Sequence, residues 1–552
     1  MFEGTTSSDF GASRRTKLSQ AWRPRRFFDV VQSQVGIVRF FCGILVAFGI
    51  YRLLQVGKRG KNLPPGPPTL PILGNMHQIP VTGLYKNRFK EWGDKYGGVF
   101  SLKIGNGTMV VLYDRKAVHD LLDKKGTIYS ERPIDYVASI VTGGDSFAFM
   151  NNTPLWRSER KKQSKYLFDP LVMIAYWWRF RAGQLLYDLL NAPGDFYQHM
   201  KRNTASVANI VVWGHRGSTY ESFWGSVSSS FLFRKETSSD IVAVHQFPFL
   251  KLLPDRFAPW VKRARTSYKA TDSTWAEARR RVDARRQQGD KRVSIVDRIL
   301  DGEKAMDYPL SDHQLNHFLG VLVEGGADTT ASSMLTSILM LAQNLHVQKK
   351  AQAELDSVIG TDRSPVWADF ASLPYINCVV KEGVRWHSVL PLGVPHRVNK
   401  DDWYDGMLIP KDSTVVIPIW AMHFAEQLGY DDPAKYNPDQ ISHCNSILVH
   451  KANKGLVIHH YAYGAGRRIC PGMHLAERTQ WRITAKLLWA FDIVPSVDEK
   501  GNDVPLNSDA YHEGIAHCPE PFQVRFKPRS AKHAETIRKE AFSAQEFLRV
   551  YD

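Results

Sequence analysis

A chain of 552 residues with 43% hydrophobic and 12% aromatic side chains has enough apolar surface to build a large core, and no internal linker divides it. Its five cysteines are odd in number and widely spaced, with no Cys-x-x-Cys pair, which argues against a disulfide framework or a zinc ribbon. Lys and Arg number 72 against 55 Asp and Glu, a formal charge of +17; without a zinc-finger pattern, an aromatic RNA-binding string or a long basic run, this excess points away from nucleic acid and toward an anionic membrane surface or an acidic partner.

Residues 1–34 form a polar, basic extension, and 35–56 are the candidate membrane anchor. The uninterrupted apolar run there, Phe40 to Tyr51, is shorter than the roughly 20 residues a spanning helix needs, but Arg39 and Arg52 at its ends can snorkel to the interface. A basic and proline-rich linker over 57–75 follows, with Pro64, Pro65, Pro67, Pro68 and Pro71 stiffening it into an extended spacer. The main domain is assigned to 76–528 and a C-terminal tail to 529–552.

Within the main domain, Gly98 to Asp114 alternates like a hairpin turned at Gly105-Asn106-Gly107. Most of the rest reads as helix. Ser311 and Gln314 make a capping-box start for a helix running to Asn344 that is almost free of charge and therefore belongs in the core. Helices over 351–359 and 374–388 and short strands within 406–418 come next. A last amphipathic helix, 473–491, carries Leu475, Ile483, Leu487 and Phe491 on one face.

The strongest chemical signal is Tyr463 to Gly472, YGAGRRICPG, leading into that last helix. A thiolate is stabilised at a helix start by unpaired N–H groups and the helix dipole, and Cys470 holds that position as a candidate metal ligand. Gly464 and Gly466 permit a tight bulge against a flat group, Gly472 allows close backbone approach, and Arg468 offers a guanidinium fork to a carboxylate.

This string resembles the cysteine loop of the cytochrome P450 superfamily, with Tyr463 in place of the usual Phe. The resemblance implies a mainly α fold with small β-sheets behind a membrane-anchor helix, and haem b (iron protoporphyrin IX) ligated by Cys470. Three further motifs extend it from Leu63 onward. In Gly325-Gly326-Ala327-Asp328-Thr329-Thr330, the resemblance makes Thr329 and Asp328 the catalytic pair that delivers protons to bound dioxygen. Glu382 and Arg385 become a buried pair bracing the cysteine loop, where the usual third member, an Arg, is replaced by Gln440. Trp156, Arg160, His396 and Arg468 become partners of the haem propionates, with Tyr463, Gly466 and Gly472 also at the cofactor.

The same resemblance implies an NADPH-dependent monooxygenase fed by a separate flavoprotein, NADPH-cytochrome reductase, with cytochrome b5 as a further donor. An endoplasmic reticulum location follows, with the catalytic domain facing the cytosol. A basic face of Arg157, Arg160, Lys161 and Lys162 is the expected docking surface for the acidic donor. Several segments, among them NMHQIP and DRSPVWADF, are similar to filamentous-fungal members that oxidise small aromatic polyketides such as cresol-like phenols. A small apolar or aromatic substrate in secondary metabolism is therefore expected, with fatty acids, sterols or xenobiotics as the alternative. Its pocket walls are expected at 134–151, 247–253, near Leu322 and at 389–392. Two rivals stand beside this: a zinc protein using His443, Cys444, His450, His459, His460 and Cys470, whose spacing fits no common pattern, and a haem protein that rearranges peroxides.

Overall fold

The structure is a computed structural model that describes residues 24–80, 83, 88–133, 136–167, 176–227, 248–303, 308–425, 432–441, 451–452, 455–456, 460–512 and 514–552. The helices that position the site are α1 (Pro24–Gln55), α2 (Pro154–Leu167), α3 (Tyr176–Asn191), α4 (Phe196–Trp213) and α5 (Pro259–Gln287). They continue with α6 (Asp312–Gln343), α7 (Leu345–Val358), α8 (Pro374–Trp386), α9 (Met473–Ala490) and α10 (Ala531–Leu548). The fold is mainly helical with small sheets.

The central element is α6. Its Ser311 cap accepts from the Gln314 amide while the Gln314 side chain accepts from the Ser311 amide, so the capping box satisfies two helix-start donors at once. From there apolar side chains face every direction. Met334, Leu335, Ile338 and Leu339 join Trp481, Ile483, Leu487 and Leu488 of α9 in one buried cluster. Phe318, Leu319 and Val323 meet Trp213 of α4 and Trp275 of α5 in another. Gly320 permits the second contact, because a Cβ there would stand 2.3 Å from the Trp275 ring. Helix α7 begins six residues before the expected Ala351, since Leu345 starts a new helix directly after the Asn344 break.

The hairpin forms as expected: β1 (Val99–Ile104) pairs with β2 (Gly107–Leu112) through a two-residue turn in which Gly105 has φ 55°. Two short strands complete the sheet, β3 (His396–Arg397) and β4 (Thr414–Val416), in the order β1-β2-β4-β3. Strand β4 runs parallel to β2 and antiparallel to β3, which puts His396 opposite Val415. A second hairpin joins β5 (Phe491–Pro495) to β6 (Val524–Pro528).

Three expectations at the chain ends change. The proline-rich stretch is docked: the Ser101 amide donates to the Pro65 carbonyl, and Arg59 and Asn75 donate to the carbonyls of Pro64, Pro67 and Pro68. Residues 529–552 are no loose tail. Helix α10 buries Ile537, Ala541, Ala544 and Leu548, and its Glu540 accepts from Ser364 and pairs with the buried Lys486. For the anchor, the helix extends over Pro24–Gln55, but its side chains are described only from Arg39, and 24–38 lie outside them. No helix among the described residues is long and apolar enough to cross a membrane, so the spanning segment expected over 35–56 is not found there.

Candidate active site

Helices α6, α8 and α9 and the cysteine loop enclose a cavity whose walls include Cys470 on one side and Gly325, Gly326 and Thr329 on another. The cysteine loop is held by its own backbone: the Cys470 amide donates to the Tyr463 carbonyl, and the Gly464 amide to Tyr461. Gly466 is obligatory here. Its φ is 64°, and a Cβ would lie 2.3 Å from the Leu122 carbonyl, while its amide donates to Asp123. Burial pushes the Cys470 thiol up, and the amides of Gly472 and Met473 at the start of α9, together with Arg160, work against that. A bound metal ion would complete the deprotonation.

The hydroxyl of Tyr463 is directed away to Gln480, whose Nε2 lies 3.3 Å from it. Gln480 in turn accepts from Ser333 of α6 at 2.9 Å. A hydrogen-bonded strand therefore joins the loop's aromatic ring to the helix across the cavity.

Behind the loop, Glu382 and Arg385 form a bidentate pair at 2.7 and 2.8 Å, one side chain 0% and the other 1% exposed. Two such charges survive burial only when every remaining lone pair and proton is met. Arg385 donates to the carbonyls of His423 and Pro433, while Glu382 accepts from the Asn437 amide and from Gln440 at 2.9 Å each. Gln440 thus supplies the hydrogen bond, without the charge, of the Arg it replaces. The buried His423 carries the brace onward. Its Nε2 accepts from the Tyr461 amide, so the proton sits on Nδ1 and is donated to the Arg385 carbonyl. Burial keeps this imidazole neutral, well below its usual range. His423 was not singled out in the sequence, where no helical period or motif marks it.

One end of the cavity gathers positive charge. Arg468 lies 3.8 Å over the Trp156 ring and donates to the carbonyls of Ser130 and Met150. Phe147 stacks on the other partner of this group, with ring centroids 5.7 Å from Trp156. Arg160 donates to the Ile469 carbonyl. Arg132, which sequence reading missed because an Arg before Pro in a loop carries no pattern, donates to Ala148, Val394 and Pro395. Burial and the neighbouring Arg468 and Arg160 lower Arg132 to about 9, and burial lowers Arg468 to about 10. Glu131 is the carboxylate that offsets Arg468. The Trp156 Nε1 is buried without a partner.

His396 lines the same region, with Nδ1 2.7 Å from the Tyr129 carbonyl and its pKa depressed to about 3 by burial and Arg132. Nδ1 must hold the proton, so Nε2 needs a second proton before it can donate to a carboxylate. A carboxylate placed there would favour that protonation.

On the opposite wall, the Thr329 and Thr330 hydroxyls donate to the carbonyls of Gly325 and Gly326 at 2.7 and 2.8 Å. Helix α6 stays unbroken, and a Cβ on Gly325 would meet nothing within 4 Å. The groove expected there is therefore space left by a missing side chain. Asp328 corrects the sequence reading in part: it is not among the cavity-lining residues and lies toward Lys201 and Cys518. Burial lifts its carboxyl to about 7, and its Oδ2 has no partner.

Two other expectations change. In the basic face only Arg157 and Lys161 are exposed; Lys162 is buried, and Arg160 turns inward. Of the expected pocket walls, Phe147, Ala148, Leu322, Val389, Leu390 and Leu392 are present, whereas 248–253 are not, since Leu250 packs against Val137 and Trp260 instead. Ile134 and Phe247 lie outside the described residues, as do His443, Cys444, His450 and His459.

A planar dianionic macrocycle fits this cavity on three observations. An excess of buried guanidinium groups awaits carboxylates, an indole N–H lacks an acceptor, and the glycine backbone of α6 is bare at Gly325 in the cavity that Cys470 also lines.

The brace is tested by two substitutions. Glu382→Ala strands a buried guanidinium and is expected to cost about 3–5 kcal/mol, whereas Gln440→Ala removes one hydrogen bond and costs about 1–3 kcal/mol; denaturant unfolding of both variants reads the difference. A second test concerns Glu477 on α9, which burial raises from 4.5 to about 8 and whose Oε2 has no partner. Below pH 4.5 this carboxyl is protonated folded or unfolded; between 4.5 and about 8 only the folded chain keeps the proton, so stability falls as pH rises through that window. The slope is at most about 1.4 kcal/mol per pH unit. Thermal melts of Glu477→Gln against the parent at pH 6 and pH 9 should show the variant gaining at the higher pH.

Comparison with known proteins accounts for this arrangement. The pattern described as Cytochrome P450 matches residues 64–526. The chain is 38% identical over 515 residues to cytochrome P450 monooxygenase acuD of Aspergillus aculeatus, covering 92% of this chain and 96% of that one. It is 39% identical over 499 residues to cytochrome P450 monooxygenase patH of Aspergillus clavatus, covering 88% and 93%. With macC of Penicillium terrestre, another cytochrome P450 monooxygenase, it shares 36% over 506 residues. A cysteine at a helix start, a buried brace behind it and a basic rim around the cavity are thus the parts of a haem-thiolate monooxygenase, and the chain belongs to the cytochrome P450 family.

Proposed function

We propose that this monooxygenase hydroxylates a small aromatic or polyketide intermediate of fungal secondary metabolism, using electrons from NADPH delivered by a separate flavoprotein reductase, with cytochrome b5 as a further donor. The overall reaction consumes substrate, dioxygen, NADPH and a proton and yields hydroxylated product, water and NADP+. When bound, the haem supplies reductive activation of dioxygen and transfer of one oxygen atom.

The observation that carries the reading is the cavity wall beyond Cys470. Leu322, Val389, Leu390, Leu392 and Phe147 line the same cavity as Thr329 and give it apolar and aromatic surface, which suits a compact, flat substrate. The chain's own residues divide the remaining work. Arg132, Arg160, Arg468, Trp156 and His396 would hold the propionates, with Tyr463, Gly466 and Gly472 beside the macrocycle. Cys470 would ligate the iron. The Thr329 Oγ1 keeps lone pairs free to accept while it donates to Gly325, so it can pass a proton once that bond is released. Asp328 titrates at about 7 and can hold or give the proton near neutral pH, after its side chain turns or a water bridges to Thr329. Exposed Arg157, Lys161 and Arg467 lie on α2 and the cysteine loop and offer an acidic donor a docking face.

Helix α1 supports attachment to the endoplasmic reticulum with the catalytic domain on the cytosolic side. Phe40, Phe41, Leu45, Val46, Phe48 and Tyr51 are each more than half exposed and cover all sides of the helix, a surface that water does not favour. The full chain is expected to stay with microsomal membranes through a carbonate wash, and release of all of it would remove this part.

Reconstitution with a microsomal reductase tests the activity. Cys470→Ser should lose the red-shifted Soret band of the reduced carbonyl complex, and a retained band would overturn the ligand assignment. Thr329→Ala should keep haem and divert electrons to hydrogen peroxide, with product per NADPH falling about 10-fold or more. Turnover of fatty acids or sterols alone, with cresol-like phenols untouched, would overturn the substrate class.

A further inference from the structure

Away from the cavity's cysteine side, three elements meet at the start of α6. His313 and His317 stand one turn apart on one face of that helix, their ring centroids 4.4 Å apart. Asp272 of α5 faces both: its Oδ1 lies 3.0 Å from His313 Nε2 and 3.1 Å from His317 Nε2. The three donor atoms all fall within 4.8 Å of one another. On the far side of His313, Nδ1 is 3.2 Å from the Asp145 carboxylate, which belongs to the loop that carries Phe147 into the cavity.

We infer that His313, His317 and Asp272 form a second metal site, for a divalent transition metal of the zinc type, which clamps the 142–147 loop to α5 and α6. Two histidines at i and i+4 on a helix plus one carboxylate from a neighbouring element are a donor set for zinc. Zinc bonds of about 2.0–2.1 Å in tetrahedral geometry separate adjacent ligands by roughly 3.3 Å; the two Asp272 contacts, at 3.0 and 3.1 Å, lie within a few tenths of an ångström of that, and the two imidazoles close on the ion from a spacing of at most 4.8 Å. The Asp145–His313 contact supplies what a ligating imidazole requires on its other nitrogen, a carboxylate that fixes the tautomer and leaves Nε2 for the metal.

The Tyr268 hydroxyl of α5 also lies 3.1 Å from His313 Nε2, so an ion bound there takes the place of that contact, while the Asp145 contact on Nδ1 is kept. His317 is almost fully buried, whereas His313 and Asp272 are about 40% exposed, so the fourth position opens to water. The loop has little freedom to leave this place. Gly143 has φ 61°, and a Cβ on it would lie 2.6 Å from the Tyr268 ring of α5.

The test uses holoenzyme stripped with EDTA, reloaded with zinc chloride and dialysed. One zinc per chain should remain, and zinc-edge X-ray absorption, which the haem iron does not disturb, should show two imidazoles with oxygen ligands at about 2.0 Å. Asp272→Asn and His313→Ala should each lose at least 10-fold in zinc affinity while keeping the haem-carbonyl spectrum, which shows that they fold. Zinc should also slow amide exchange over 142–147 in the parent and not in Asp272→Asn. No retained zinc, or equal retention in both variants, overturns the site; bound zinc with unchanged exchange in the loop overturns the clamp.

Discussion

The rest of the site depends on one buried ion pair. Glu382 and Arg385 sit in a region without solvent, where an unpaired charge is costly, and separate stretches of chain supply the carbonyls, the amide and the side chain that meet them. Burial of the pair is therefore tolerable only with 423, 433, 437 and 440 in place, and once buried it holds them. His423 transmits this order to Tyr461, nine residues before the thiol, so the pair helps to set the position of the cysteine loop.

The basic end of the cavity works by the opposite logic. Arg132, Arg160 and Arg468 are held by backbone carbonyls, which orient them without neutralising them. Their lowered pKa values are the signature of charge stored in a dry place. Binding a carboxylate-bearing cofactor releases that repulsion, so haem and the folded state stabilise each other.

Helix α6 serves three purposes along one length. Its C-terminal half is core, packed against α9, while its middle omits side chains at Gly325 and turns the Thr329 and Thr330 hydroxyls onto their own carbonyls. Its first turns carry the His313 and His317 pair that faces Asp272. One rigid element thereby connects the chemistry at Thr329 with the loop that closes the cavity, and the Ser333–Gln480–Tyr463 strand connects it with the cysteine side.

The parts legible in the sequence are those encoded by neighbours: the capping box at Ser311, the turn at Gly105-Asn106, the amphipathic last helix, and a cysteine loop whose glycines answer local backbone demands. The ten-residue spacing around Cys470 and the three-residue spacing of Glu382 and Arg385 survive in one dimension because each lies within one turn or loop. What tertiary structure decided is where side chains from distant segments point. Arg132 and His423 join the site through contacts to residues far along the chain, Asp328 turns away from the cavity, and Lys162 is buried although its helix reads as a basic face. The stretch after 528 becomes a packed helix because Glu540 finds Lys486 and Ser364. Periodicity specifies the face of a helix, but only the packing of other elements determines whether that face meets water, protein or the cavity.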